Sequence, residues 1–202
     1  MKLILYSLIL TLSIILVGCE KKELVDQDDL VERNGLYYEK FSEEPYTGEM
    51  VDWSEDGSLI KSKGSYKKGL KKGLWEILKD DSSIEKGYYK KGLKIGLWEV
   101  FTKNGDLIFK GSYENNLKKG VWEGYRSDNG RQTSKTNFKN GKKHGPYEGY
   151  SKWGQVYVRG HYIEGKQTGI WEWYDNGQIE NKGYFKDDSG FILMEYLNGT
   201  GQ

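Results

Sequence analysis

Five glutamates each follow an aromatic residue directly, as Trp75-Glu76, Trp98-Glu99, Trp122-Glu123, Tyr147-Glu148 and Trp171-Glu172, at intervals of 23, 24, 25 and 24 residues. In a β-array such acids fall on neighbouring strand pairs, and two carboxylates about 5–9.5 Å apart are the machinery of glycoside hydrolysis. A catalytic pair is needed once, whereas this acid recurs in every unit, which points to a structural or solvating part. A metal site needs clustered His, Cys, Asp or Glu, and the chain has only His144, His161 and Cys19 to start one, with His144 in a turn and His161 in a strand. The same two histidines would have to supply the base of any nucleophilic triad, and no nucleophile-elbow or P-loop spacing is present. The expectation is a non-catalytic protein with no catalytic residue, cofactor or metal ligand.

Cys19, the single cysteine, has other chemistry. After Met1-Lys2, an unbroken run of apolar and small residues extends from Leu3 to Val17. It is shorter than the roughly 20 residues of a membrane span and suits the hydrophobic part of a signal peptide. The run closes in Leu16-Val17-Gly18-Cys19, which resembles the bacterial lipobox. The resemblance implies cleavage after Gly18 and attachment of a diacylglyceryl group to the Cys19 thiol. Each buried methylene contributes about 0.8 kcal/mol, and stable anchoring takes at least two chains, so lipidation at Cys19 would hold the protein on the cell membrane. Glu20 is not the Asp that retains lipoproteins in the inner membrane of enteric bacteria, so the expected location is the outer membrane if the host is Gram-negative. One cysteine cannot form a disulfide within the chain. Residues 1–18 are thus read as the signal peptide and 19–35, rich in Glu, Asp and Lys, as a charged tether.

The elements that position the Trp-Glu pairs come from the period itself. Tyr66, Tyr89, Tyr113, Phe138, Tyr162 and Phe185 keep the same spacing, and two residues before each stands Gly64, Gly87, Gly111, Thr136, Gly160 or Gly183. Within one unit, Trp98-Glu99-Val100-Phe101 is a strand, Asn104-Gly105 a favoured hairpin turn, and Leu107 to Tyr113 the returning strand. A second turn at Gly69, Gly92, Gly141 and Gly165 is occupied by Asn116 and Asp188 in the other units, residues that tolerate a positive φ. A further glycine precedes each Trp or Tyr147 by two residues. Alternation puts Trp98 and Val100 on one face and Glu99 and Phe101 on the other, and stacking of units is expected to set Trp over Trp and Tyr over Tyr. Glycine in the returning strand lets a ring lie on the backbone. The fold class that follows is all-β: tandem β-hairpin repeats over 36–202, about six units of 23–25 residues, forming an elongated single-sheet solenoid.

The pattern Trp-Glu-x-aromatic-x-x-Asn-Gly, then Lys-Gly-x-Tyr-x-x-Gly-x-Lys-x-Gly, resembles the bacterial variant of the MORN repeat, found in antitoxin-like repeat proteins. The resemblance opens at Pro45-Tyr46-Thr47-Gly48 and covers Tyr46 to Gln202. It implies a MORN-like repeat scaffold and leaves open an antitoxin-like neutralising partner of a toxin, with which an export signal sits badly. The chain departs from the pattern at Thr136 and at Asp187-Asp188-Ser189-Gly190, where the last unit reads as a polar cap.

Lys and Arg total 31 against 30 acids, so no net field favours nucleic acid. The second turns nevertheless gather lysines, beginning with Lys67, Lys68, Lys71 and Lys72, while the first turns carry Asp56, Asp80, Asp81, Asp106, Asp128 and Asp175. One edge should therefore be basic and meet anionic lipid or polysaccharide. The aromatic column of Trp75, Trp98, Trp122, Tyr147 and Trp171 is the alternative surface, for a carbohydrate or cell-wall ligand, and Trp53, Trp153, Trp173, Tyr150 and Tyr174 lie outside it. Choline-binding repeats share the wealth of aromatics but centre on Gly-Trp, unlike the Gly-x-Trp-Glu found here. The expected partners are a membrane through Cys19 and a protein of unknown identity.

Overall fold

The computed structural model describes residues 24–186 and the strand 191–196; the expected signal peptide 1–18, Cys19 and the segment 187–190 lie outside the described residues. Strand β1 (Val25–Asp26) leads through one 3-10 turn to β2 (Leu30–Arg33) and β3 (Leu36–Glu39). The repeats follow as β4 (Gly48–Trp53), β5 (Ile60–Lys67), β6 (Leu70–Leu78), β7 (Ile84–Lys90), β8 (Leu93–Phe101), β9 (Leu107–Glu114) and β10 (Leu117–Tyr125). They continue as β11 (Gln132–Lys139), β12 (Lys142–Tyr150), β13 (Val156–Ile163), β14 (Lys166–Asp175), β15 (Gln178–Phe185) and β16 (Phe191–Tyr196). From β4 to β16 each strand pairs with its neighbours in sequence, antiparallel throughout, in one long sheet. The protein is an elongated single-sheet array of hairpins.

Each hairpin has two unlike ends. At the tips, Lys68-Gly69, Lys91-Gly92, Asn115-Asn116, Asn140-Gly141 and Glu164-Gly165 have positive φ at both residues, the requirement of a two-residue type I′ turn. At the opposite edge the connections are mostly longer. Asn104-Gly105 sits where expected, but inside a loop in which the Thr102 amide donates to the Asp106 carbonyl at 2.8 Å and only Gly105 has positive φ. Two residues before each Trp the backbone bulges at Gly73, Gly96, Gly120 or Gly169, all at positive φ, and pairing to the preceding strand skips there, as between Lys119 and Glu123. A bulge bends its strand. The stretch before the bulge is thereby freed to receive the next tip: the Gly92 amide donates to the Lys71 carbonyl at 2.9 Å, Gly141 to Lys118 at 3.0 Å and Gly165 to Lys143 at 2.8 Å. Successive units are joined both along the strands and tip to tip.

The core is one ring thick. Trp75, Trp98, Trp122 and Trp171 are only 1, 1, 7 and 2 % exposed, each lying flat on a glycine of the preceding strand, Gly64, Gly87, Gly111 and Gly160 respectively; a Cβ at any of these would stand inside the indole. The tryptophans of successive units do not stack on one another, contrary to expectation, although in the fourth unit Tyr147 packs directly against Trp171 at 5.6 Å. Two Trp strands are separated by a returning strand, hence by about 9.5 Å, and the ring of that strand fills the gap edge-on. The centroid distances alternate as Tyr66–Trp75 5.3 Å, Trp75–Tyr89 5.7 Å, Tyr89–Trp98 5.3 Å, Trp98–Tyr113 5.9 Å, Tyr113–Trp122 5.1 Å and Trp122–Phe138 6.1 Å. Edge-to-face pairs contribute roughly 0.5–1.5 kcal/mol each beyond burial. The fourth unit departs from this rule at two places that compensate. Buried Thr136 replaces the glycine, and its neighbour across the strands is Tyr147, a smaller ring than indole.

The array begins with a cap. Met50, fully buried, stands in register with Gly64 and takes the place of the first Trp. Strand β1 pairs in parallel with the free edge of β4, and the β2–β3 hairpin lays Tyr37 against Tyr66 at 4.7 Å, its amide donating to the Gly69 carbonyl at 3.0 Å. The described part of the segment read as a tether, from Val25 onward, is therefore built into the fold, and the boundary at 36 falls within a hairpin. Covering the open end of the ladder requires apolar surface, and Leu30, Tyr37 and Tyr46 supply it. Replacing Gly87 by Ala should cost about 1–3 kcal/mol in urea unfolding, the range for overpacking a filled site. The double variant Gly87→Thr/Trp98→Tyr, copying the fourth unit, should be more stable than Gly87→Thr alone.

Candidate functional site

The tip edge carries the concentration of charge. Lys67, Lys68, Lys72, Lys90 and Lys91 are exposed and make no ion pair with any described residue. Lys68 and Lys91 hold the first position of their turns at φ 50° and 51°, a left-handed conformation that costs most side chains roughly 1–2 kcal/mol and suits Gly or Asn. Asn115, Asn140 and Glu164 take that position in later units. Further along the edge part of the charge is neutralised internally, by Lys119 with Glu114 at 3.0 Å and Lys142 with Glu164 at 3.2 Å, while Lys139 is exposed and makes no ion pair with any described residue. The basic edge predicted from sequence is thus strongest at its N-terminal end.

The first described strands start at this edge. The Lys68 amide donates to Thr47 Oγ1 at 2.8 Å, which sets the start of β4 level with the tips. Strand β1 runs parallel to β4, with Val25 opposite Met50, so the described chain begins on the tip side.

Lys71, grouped with Lys67, Lys68 and Lys72 by sequence, belongs to a different row. Its ammonium lies 4.1 Å from the Trp75 ring centre and 5.4 Å from that of Tyr89. Lys94 repeats this over Trp98 at 3.9 Å and Tyr113 at 5.2 Å, and Lys118 over Trp122 at 4.1 Å and Phe138 at 5.2 Å. Burial, with repulsion from Lys94, pushes the Lys71 amine below its usual range, and burial does the same to Lys118. These lysines roof the aromatic ladder. The Trp column itself is corrected likewise: Trp75, Trp98, Trp122 and Trp171 are buried and Tyr147 is half-buried, so the column is core and presents no open row of rings.

The glutamates lie on the opposite face in a ladder that alternates with the basic residue before each glycine. Glu76 sits between Lys63 at 3.1 Å and Lys86 at 3.3 Å, and Glu123 accepts from Lys110 at 3.2 Å and from the Tyr125 hydroxyl at 3.0 Å. Glu172 accepts from Arg159 at 2.6 Å and the Tyr174 hydroxyl at 2.7 Å, with Lys182 at 3.5 Å. Burial opposes ionisation of Glu76 and Glu123, but their cations and hydrogen bonds prevail and hold both below the usual carboxylate range; the Tyr174 and Arg159 contacts do so for Glu172. A general acid needs the opposite shift. Among the described residues no three of His, Cys, Asp and Glu converge on a metal-sized site. At the loop edge the acids fasten turns; hydrogen bonds from Ser54 and Ser58 hold Asp56 at about 2.

Lys71→Ser should lower stability by about 0.5–2 kcal/mol, the range of a desolvated cation on a ring, while Lys72→Ser should leave it unchanged, as urea unfolding of the two variants will show. Because the folded pKa values of Glu76, Glu123 and Glu172 are depressed, the stability they supply is complete above the ordinary 4.5 and lost as pH falls through their lowered values. Thermal melting should accordingly be flat from neutrality to about pH 5 and decline below it, less steeply in Glu172→Gln.

No protein-family model matches the chain, and no curated protein matches it.

Proposed function

We propose that the protein is a non-catalytic, lipid-anchored scaffold of the bacterial cell envelope, a MORN-like array that stands edge-on against an anionic membrane surface and offers its faces to partners. The observation that carries this reading is the shared edge: β1, the first described strand, starts on the edge that holds the five lysines of the first two tips, which make no ion pair with any described residue. Cys19 is six residues before Val25, a reach of at most about 20 Å of extended chain. Lipid and lysines then act on the same surface, and a lipid chain combined with a polybasic patch is a stable pair of membrane signals.

Binding to phosphatidylglycerol vesicles by the unlipidated Cys19→Ser protein isolates the contribution of the edge. Substituting Lys67, Lys68, Lys72, Lys90 and Lys91 by Ser should weaken binding at least about tenfold, because each lysine near such a surface contributes about 1 kcal/mol. Lys68→Asn/Lys91→Asn should bind more weakly and yet unfold at higher urea. Vesicle binding that ignores all five lysines would refute edge docking.

A further inference from the structure

The face opposite the tryptophans carries a second row of rings. Phe101, Tyr125, Tyr150 and Tyr174 follow one another at 24, 25 and 24 residues, each two positions beyond a ladder glutamate and so on the same face. All four are half-buried. The tyrosines are fixed in place: the Tyr125 hydroxyl donates to Glu123 at 3.0 Å, Tyr150 to Glu148 at 2.5 Å and Tyr174 to Glu172 at 2.7 Å. A cation lies over one face of two of the rings, Lys110 5.3 Å from the centre of Tyr125 and Arg159 5.1 Å from that of Tyr174.

We infer that this face is a binding site for a neutral β-1,4-linked glycan strand, laid across the strands over Tyr125, Tyr150 and Tyr174. Charge complementarity selects the class of ligand. Lys110, Glu123, Lys135, Glu148, Arg159 and Glu172 alternate in register, one per strand, so the charges cancel in place. A polyanion laid along the ladder would meet a carboxylate at every second strand and a polycation would meet a lysine or arginine. A polymer of hydroxyl and acetamido groups, each able to donate or accept, satisfies both. The spacing agrees: ladder groups recur at about 4.8 Å and rings at about 9.5 Å, so an extended chain of such sugars places a polar edge at every strand and a pyranose face on each ring. The apolar C–H face of a pyranose packs on an aromatic face, and a preset ring loses little entropy on contact. Sugar recognition thus moves from the Trp column, which is core, to the tyrosine row. The inference is independent of the basic edge, and edge-on docking leaves this face open.

The test titrates the full-length lipidated protein in detergent with chitohexaose and cellohexaose by calorimetry. At least one should bind, and saturation-transfer NMR on the wild-type protein should show transfer from tyrosine ring protons to the sugar. Tyr150→Phe/Tyr174→Phe, keeping the rings, should bind within threefold of wild type; Tyr150→Leu/Tyr174→Leu, keeping apolar bulk without a ring, should lose at least tenfold while near-UV circular dichroism confirms the fold. The proposal is overturned if neither oligosaccharide binds the wild type, if transfer arises from tryptophan alone, or if the folded Leu variant binds as well as wild type. It also falls if the Leu substitutions dissolve a dimer in sedimentation and no sugar binds, which would assign the face to a second copy of the chain. Vesicle binding should be indifferent to these substitutions, so docking and sugar recognition fail separately.

Discussion

Everything in this fold depends on an indole lying flat on a glycine of the preceding strand. A single-layer sheet has no second layer to cover its apolar side, so a protein poor in aliphatics must make its core from rings and backbone alone. Glycine removes the one atom that would lift the ring away, and the contact closes to the density expected of an interior. From this follow the place of each tyrosine, edge-on in the gap between two indoles, and that of each roofing lysine, whose stem covers the side left facing solvent. The pair Thr136 and Tyr147 obeys the same volume rule with different residues.

Near-zero net charge conceals three populations of lysine. Those of the ring roof, Lys71, Lys94 and Lys118, are drawn partly out of water onto aromatic faces. Those before the glycines, Lys63, Lys86 and Lys110, are matched by glutamates on the opposite face. Those at the first two tips face solvent with no counter-charge among the described residues. A count of charges therefore says nothing of the field, because neutrality is achieved on one face and broken at one edge.

Much of this was legible in the sequence, for a physical reason. Turn chemistry is local, so the tip glycines and asparagines announced their positive φ, and the 24-residue period set the columns. What was not legible is how columns interleave. Period alone aligns Trp98 with Trp122, but the returning strand between them puts Tyr113 there instead. Lys71 and Lys72 are adjacent in sequence and alike in type; alternation sends one over Trp75 and the other to solvent. The cap escaped notice because Leu30 is embedded among acids and lysines, and its burial depends on Tyr46, Met50 and Tyr66 far along the chain. The candidate surfaces shifted for the same reason: the rings with the strongest periodic signal are the ones the fold consumes.

The bond from each tip to the carbonyl one unit back, as from Gly92 to Lys71, reaches no further than the adjacent hairpin, and neither does the ring contact. Each unit is completed wholly by its neighbour. Duplication of the 24-residue segment in the gene would therefore lengthen the array at constant pitch without redesign of any interface, and loss of a segment would shorten it as cleanly. Reach is heritable as a copy number, open to selection separately from the chemistry of the surface.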